Sequence, residues 1–166
     1  KDEAFAKKLK MLANHGRIEK YEHEISGFNY RLDPLQAAIL QVKLGHLETW
    51  LEKRRDHAHF YNACFENTEV RTPVEHKDNR HVYTYYVIRT QKRSKIEDAL
   101  QKADIAAQIH YPISLHQQPA FKKLGYKNGD FPVAEKAADE ILTLPLYPEL
   151  KREQIQHIAT QVLRVF

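Results

Sequence analysis

A chain of 166 residues is long enough for one folded domain with a real core, and 42% hydrophobic against 29% charged residues excludes general disorder. No apolar run approaches the roughly 20 residues a membrane helix needs, and the first ten residues, KDEAFAKKLK, alternate charged and apolar side chains without the hydrophobic stretch of a secretory leader. The net charge of +4 invites a nucleic-acid reading, but 26 basic residues are interleaved with 22 acidic ones, the pattern of solvated helix faces such as LEKRRDHAH.

The elements follow in chain order. Asp2 caps a first helix whose apolar stripe is Phe5, Leu9 and Leu12, and His15-Gly16 ends it. Residues 17–33 have no steady period and form a loop of the kind that carries function. From Asp33 to Phe65 one long helical pattern is predicted, with Pro34 in the first turn, Leu35, Ala38, Ile39, Val42, Leu47, Trp50 and Leu51 as apolar positions, and Gly45 as a point of kinking. Such length fits a helix bridging parts of a larger molecule. Strands are predicted at Val70-Arg71 and at His81 to Thr90, where Tyr and Val alternate. Ser94-Lys95-Ile96-Glu97 has the form of a capping box opening a helix to Ala103. Ala106 to His110 is a further strand stopped by Pro112. A helix then runs from Phe131-Pro132 through Ile141, a short extended piece from Thr143 to Leu146, and a closing amphipathic helix from Lys151 to Val165. Strands and helices alternate, and the fold class is α+β.

Several chemistries are disfavoured. With five glycines the chain holds neither G-x-x-x-x-G-K-[ST] nor G-x-G-x-x-G. His57 and His59 are two apart on a helix and face different ways, so metal is not expected. Cys64 is the single cysteine; it favours a reducing compartment, the cytoplasm, and reads as a small buried helix residue in preference to a nucleophile.

Three stretches are unusual. In Gly27-Phe28-Asn29-Tyr30-Arg31-Leu32-Asp33 a flexible glycine leads into an amide, a guanidinium and a helix amino end, all of which donate to anions. A plain loop, with Asn29 bending the chain and Arg31 pairing with a surface acid, competes with that reading and on chemistry alone leads it. His110-Tyr111-Pro112-Ile113-Ser114-Leu115-His116-Gln117-Gln118-Pro119-Ala120-Phe121 suits a polar sugar or nucleotide pocket as well as it suits a buried connector held by two prolines. The third, Gly125 to Glu149, reads as architecture without chemistry.

NHGR at 14–17, GFNYRLDPLQAAIL at 27–40, HVYTYYVIR at 81–89, IHYPISLHQQPAF at 109–121 and GDFPVAEKAADEILTLPLYPEL at 129–150 together resemble the DegT/DnrJ/StrS-type family of sugar aminotransferases. The resemblance covers nearly the whole chain but only the later part of the family pattern. It implies the carboxyl-terminal half of a fold type I enzyme that uses pyridoxal phosphate to move an amino group from glutamate to a keto group of a nucleotide-linked sugar. It also implies a homodimer with composite sites, acting in polysaccharide biosynthesis. The implied organisation is the end of the cofactor domain and an active-site loop at 1–32, a long connecting helix at 33–65, and a small domain at 66–166 with a mostly antiparallel sheet and flanking helices. The chain begins with Lys inside a helical pattern, so a fragment is expected, with the cofactor lysine ahead of it and no catalytic residue within it. By the same resemblance Asn29 reaches the cofactor phosphate of the other subunit, while Arg31, His110, Tyr111 and His116 bind substrate. A sugar dehydratase of the same fold and a non-catalytic interaction module are the competing readings.

Overall fold

The structure, a computed structural model, describes residues 2–166, and the chain divides into two compact units, Lys1–His46 and Leu47–Phe166. In the first, α1 spans Glu3–Ala13, and Asp2 caps it by accepting the Phe5 N–H on Oδ1 at 3.0 Å. His15 and Gly16 then take left-handed φ of 59° and 75°, which ends the helix where the sequence places its stop. The following loop folds back on the end of α1 and supplies its orphan carbonyls: Phe28 N–H donates to Leu12 O at 2.7 Å and Tyr30 N–H to Ala13 O at 2.9 Å.

The single helix expected over 33–65 is two helices. One, α2, covers Pro34–Leu44 and the next, α3, covers Leu47–Cys64. At Gly45, a poor helix former, the His46 N–H bonds back to Lys43 O in a three-residue turn at 3.0 Å, and the i→i+4 ladder lapses. No residue of α2 is buried.

The second unit is built on a two-stranded antiparallel sheet, β1 (Tyr86–Arg89) against β2 (Ile141–Leu144), with Tyr86 opposite Leu144 and Arg89 opposite Ile141. Single bridges widen it on both sides, Arg71 to Arg89 and Gln108 to Thr143. The helices are α3, α4 (Arg93–Lys102), α5 (Pro132–Glu140) and α6 (Arg152–Leu163); α6 packs on both α3 and α4, and α5 meets β1. Ala58, Tyr61 and Phe65 follow the helical period and meet Tyr86, Ile88, Leu142 and Leu144 from the sheet, and Ile155, Ile158 and Val162 from α6, in one core. Tyr61 and Tyr86 stack at 4.7 Å. Their hydroxyls donate to Pro145 O and Asn62 Oδ1, and burial pushes both phenols up from their ordinary range.

Three further sequence expectations are corrected. The strand predicted over 81–90 is confined to 86–89, because Arg54 takes the carbonyls of Tyr83 and Thr84 and Arg55 that of His81, while Tyr83 sits at φ 47°. Those groups are no longer available to a ladder. The strand expected at 106–110 is reduced to the one bridge at Gln108. The capping box at Ser94 does not form: Thr90 Oγ1 accepts the Lys92 N–H at 3.0 Å, turning the chain early, so the helix opens at Arg93 and Ser94 falls within its first turn.

Glu75 ties the 66–85 connection to α3. Its Oε1 accepts from Arg55 Nη1 at 2.5 Å and from the His81 N–H at 2.6 Å. Arg55 first, and the His81 N–H next, hold its carboxyl down at about 2, against an ordinary 4.5. A depressed carboxylate stabilises the fold fully above 4.5, and that stabilisation is lost as the pH falls through about 2. Thermal unfolding followed between pH 6 and 2 is therefore expected to show a shallower acid-side decline for Glu75→Gln than for the native chain.

Candidate functional site

The candidate residues fall into two groups, one in each unit. In the first, Gly16 and Gly27 lie backbone to backbone: a Cβ on Gly27 would sit 2.1 Å from Gly16 N, and one on Gly16 would sit 1.6 Å from Ile25 O. Only glycine permits this approach. It fixes the loop beside the end of α1, where Asn29 pairs with Asn14 in a single antiparallel bridge and His23 Nδ1 lies 2.7 Å from His15 O.

Asn29 is exposed, and its Oδ1 accepts from Arg31 Nε at 3.0 Å. The amide oxygen is thereby engaged, and the NH₂ group and the guanidinium nitrogens beyond Nε, on two exposed residues, remain as donors. Asp33, the N-cap of α2, makes no side-chain cap bond, so the leading N–H groups of that helix are further donors close by in the sequence, beside the Asp33 carboxylate. Phe28 and Tyr30 stack at 5.0 Å beside the amide. This donor set fits a phosphate group.

In the second unit, His110 is half-buried, with Nδ1 3.0 Å from Thr143 Oγ1 on β2 and its ring stacked on Tyr85 at 4.3 Å. Tyr111 is 68% exposed and stands edge-on to His110. Two 3-10 turns, Leu115–Gln117 and Pro119–Leu124, carry the chain onward to α5. Between them and α5 lies a groove of about 950 Å³ whose walls include Tyr111, Leu115, His116, Phe121, Tyr126 and Phe131. It is mainly aliphatic and aromatic, with the Tyr111 hydroxyl, the His116 ring and Gln118 as polar points. The floor includes Ser114, whose buried Oγ has no hydrogen-bond partner among the described residues.

Of the five sequence candidates, Tyr111 and His116 share the groove, His110 faces the sheet instead, and Asn29 and Arg31 share a hydrogen bond. His116 is not an open ring. Its Nε2 lies 2.8 Å from Glu135 Oε1 and its face meets Phe131 at 4.8 Å. Glu135 also accepts the N–H groups of Gly129 and Phe131. Burial acts to raise the Glu135 carboxyl, but the Gly129 N–H, His116 and the Phe131 N–H outweigh it and hold the group below its ordinary range. Sequence reasoning gave Glu135 no role because its partners lie 4 to 19 residues away with no shared period. Tyr85 was missed for the same reason. Among the described residues no group of three or more His, Cys, Asp or Glu is placed to hold a metal ion, and no helix is long and apolar enough to cross a membrane.

The sequence is similar to the pleiotropic regulatory protein of Geobacillus stearothermophilus, with 44% identity over 168 residues that span 99% of this chain and 45% of that protein. It is similar also to the dTDP-3-amino-3,6-dideoxy-alpha-D-galactopyranose transaminase of Aneurinibacillus thermoaerophilus, 34% identical over 98% of this chain and 44% of that one. The fold is similar to that of S. venezuelae DesV, solved in complex with a ketimine intermediate: the TM-score is 0.92 and the identity 34%, over 98% of this chain and 44% of that chain. The chain thus spans less than half the length of these relatives. Residues 1–163 match the family itself, so that on sequence and on fold together the chain belongs to the DegT/DnrJ/EryC1/StrS aminotransferase family.

Proposed function

We propose that these residues are the carboxyl-terminal part of a pyridoxal-phosphate-dependent aminotransferase that moves an amino group from glutamate to a keto group of a nucleotide-linked sugar, in the cytoplasm. The observation that carries the reading is the donor set around Asn29, in a chain similar to a named nucleotide-sugar transaminase over 98% of its length. Pyridoxal phosphate, when bound, supplies the carbonyl that accepts an amino group from one partner and yields it to the other. This chain's part is to bind and orient. The Asn29 amide, its oxygen engaged by Arg31, would donate to the phosphate, and Arg31 would add charge for the phosphate or the substrate.

In the second unit Tyr111 presents its exposed ring and hydroxyl to the sugar nucleotide, and the aromatic walls of the groove supply faces for stacking. His110, held by Thr143 and Tyr85, keeps Tyr111 in place. His116 shapes the wall through Glu135. The domain plan of a cofactor-domain end over 1–32, a connecting segment over 33–65 and a small domain over 66–166 stands as part of the proposal. So does the homodimer: α2 exposes Leu35 (75%), Val42 (68%) and Leu44 (68%), surface that suits packing on another polypeptide.

The test uses the full-length parent. It is expected to form amino-sugar nucleotide from glutamate and a keto-sugar nucleotide, while the 166-residue chain alone forms none. Asn29→Ala in the parent is expected to weaken retention of the phosphate cofactor by about 2 kcal/mol, roughly 30-fold, with the melting temperature of the apoprotein unchanged. Equal cofactor retention by the variant and the native parent would remove Asn29 from the site.

A further inference from the structure

We propose that a second anion site lies in the Leu47–Phe166 unit, on the opposite face of α5 from the groove, built to hold a small phosphate-class anion bearing two or more charges. Arg71 and Arg89 are bridge partners that exchange both backbone hydrogen bonds, at 3.0 and 2.9 Å, so their side chains leave the sheet on the same side. Like charges directly opposite one another destabilise a sheet unless something negative lies between them. Glu140 answers Arg89 at 2.8 Å and, more loosely, Lys136 at 3.8 Å, whereas Arg71 has no acidic partner among the described residues. Both arginines line a pocket of about 470 Å³ together with Lys92, Lys136, Glu69 and Glu140. Four cations thus face two carboxylates, and the excess of two positive charges is what a dianion neutralises.

The helix that opens beside this pocket increases the imbalance. It begins at Arg93 after Lys92, with no side-chain cap and no acid in its first turn, so its N-terminal dipole adds positive potential. Lys92 is held at the pocket by Glu69 at 3.8 Å and by the face of Phe166 at 4.1 Å. The volume is that of a small-molecule pocket, which favours a compact anion over an acidic peptide. Guanidinium forks bind phosphate oxygens in pairs. The site is independent of the reaction proposed above, since every residue belongs to a unit with its own buried core.

The test is a titration of the 166-residue chain with inorganic pyrophosphate at low salt, read by calorimetry and by amide shifts. Saturable binding is expected, with shifts centred on residues 68–71, 89–93 and 136–140. Arg71→Gln, an exposed change that removes no internal bond, is expected to lower affinity about tenfold. Glu69→Gln removes a competing acid and is expected to tighten binding about threefold, a gain that misfolding cannot mimic. Absence of saturable heat, an unchanged affinity in Arg71→Gln, no tightening in Glu69→Gln, or tighter binding of poly-glutamate than of pyrophosphate would each overturn the site.

Discussion

Gly27→Ala is expected to strip hydrogen-exchange protection from the amides of Phe28 and Tyr30 and to destabilise the first unit by about 3 kcal/mol or more. The single added carbon has no room, because the atom it meets at 2.1 Å is the Gly16 backbone nitrogen, with His15 C and Gly16 Cα at 2.7 and 2.8 Å. Backbone cannot swing aside as the end of a lysine can, so the loop must lift from the helix end. Lifting it breaks the bonds by which Phe28 and Tyr30 close the last carbonyls of α1, and it carries Asn29 away from its bridge to Asn14. In the parent the same substitution is expected to lower cofactor retention at least as far as Asn29→Ala does, although it removes no donor. Amides of Phe28 and Tyr30 that stay as protected as in the native chain would show that the two glycines need not touch. Gly125 and Gly129 offer the contrast: both have positive φ, but a Cβ there meets nothing within 4 Å.

The sequence announced Gly27 for the wrong reason. In a linear reading it was a flexible lead into a donor-rich segment, whereas the structure uses it for its lack of bulk against a residue 11 positions earlier. Local signals served well where the cause was local: Asp2 caps α1, His15-Gly16 ends it, Pro34 opens α2, and the closing helix lies where its apolar period places it. They failed where a distant side chain took the backbone groups that a local pattern had assigned. Ser94 had the composition of a cap, but the Thr90 hydroxyl turned the chain first. Tyr-Val alternation over 81–90 announced a full strand, but guanidiniums on α3 claimed its first carbonyls. Within the candidate site the residue types were legible and their engagements were not. His116 looks like a free binder until Glu135, 19 residues on, is found against it.

Arg54→Met is expected to destabilise the second unit by about 3 kcal/mol in denaturant unfolding, more than an ordinary half-exposed arginine contributes. One nitrogen, Nη1, donates to three carbonyls, of Tyr83 and Thr84 at 3.3 Å and of Leu146 at 3.1 Å, and so joins α3 to the segment before β1 and to the segment after β2. Methionine preserves the stem and its packing but leaves these acceptors without the charge, and two of them lie in part-buried surroundings where water replaces it poorly. Because a single nitrogen makes all three contacts, an ammonium can substitute in part, and Arg54→Lys is expected to recover about half of the loss. The consequence extends to Tyr111 on the groove wall. Tyr83 and Thr84 precede Tyr85, whose ring stacks on His110, so releasing their carbonyls frees the surface that positions His110 and, beside it, Tyr111. In the parent, Arg54→Met is therefore expected to raise KM for the sugar nucleotide while leaving cofactor retention near that of the native enzyme. A variant with unchanged unfolding midpoint and unchanged KM would show that the three contacts do not support this wall.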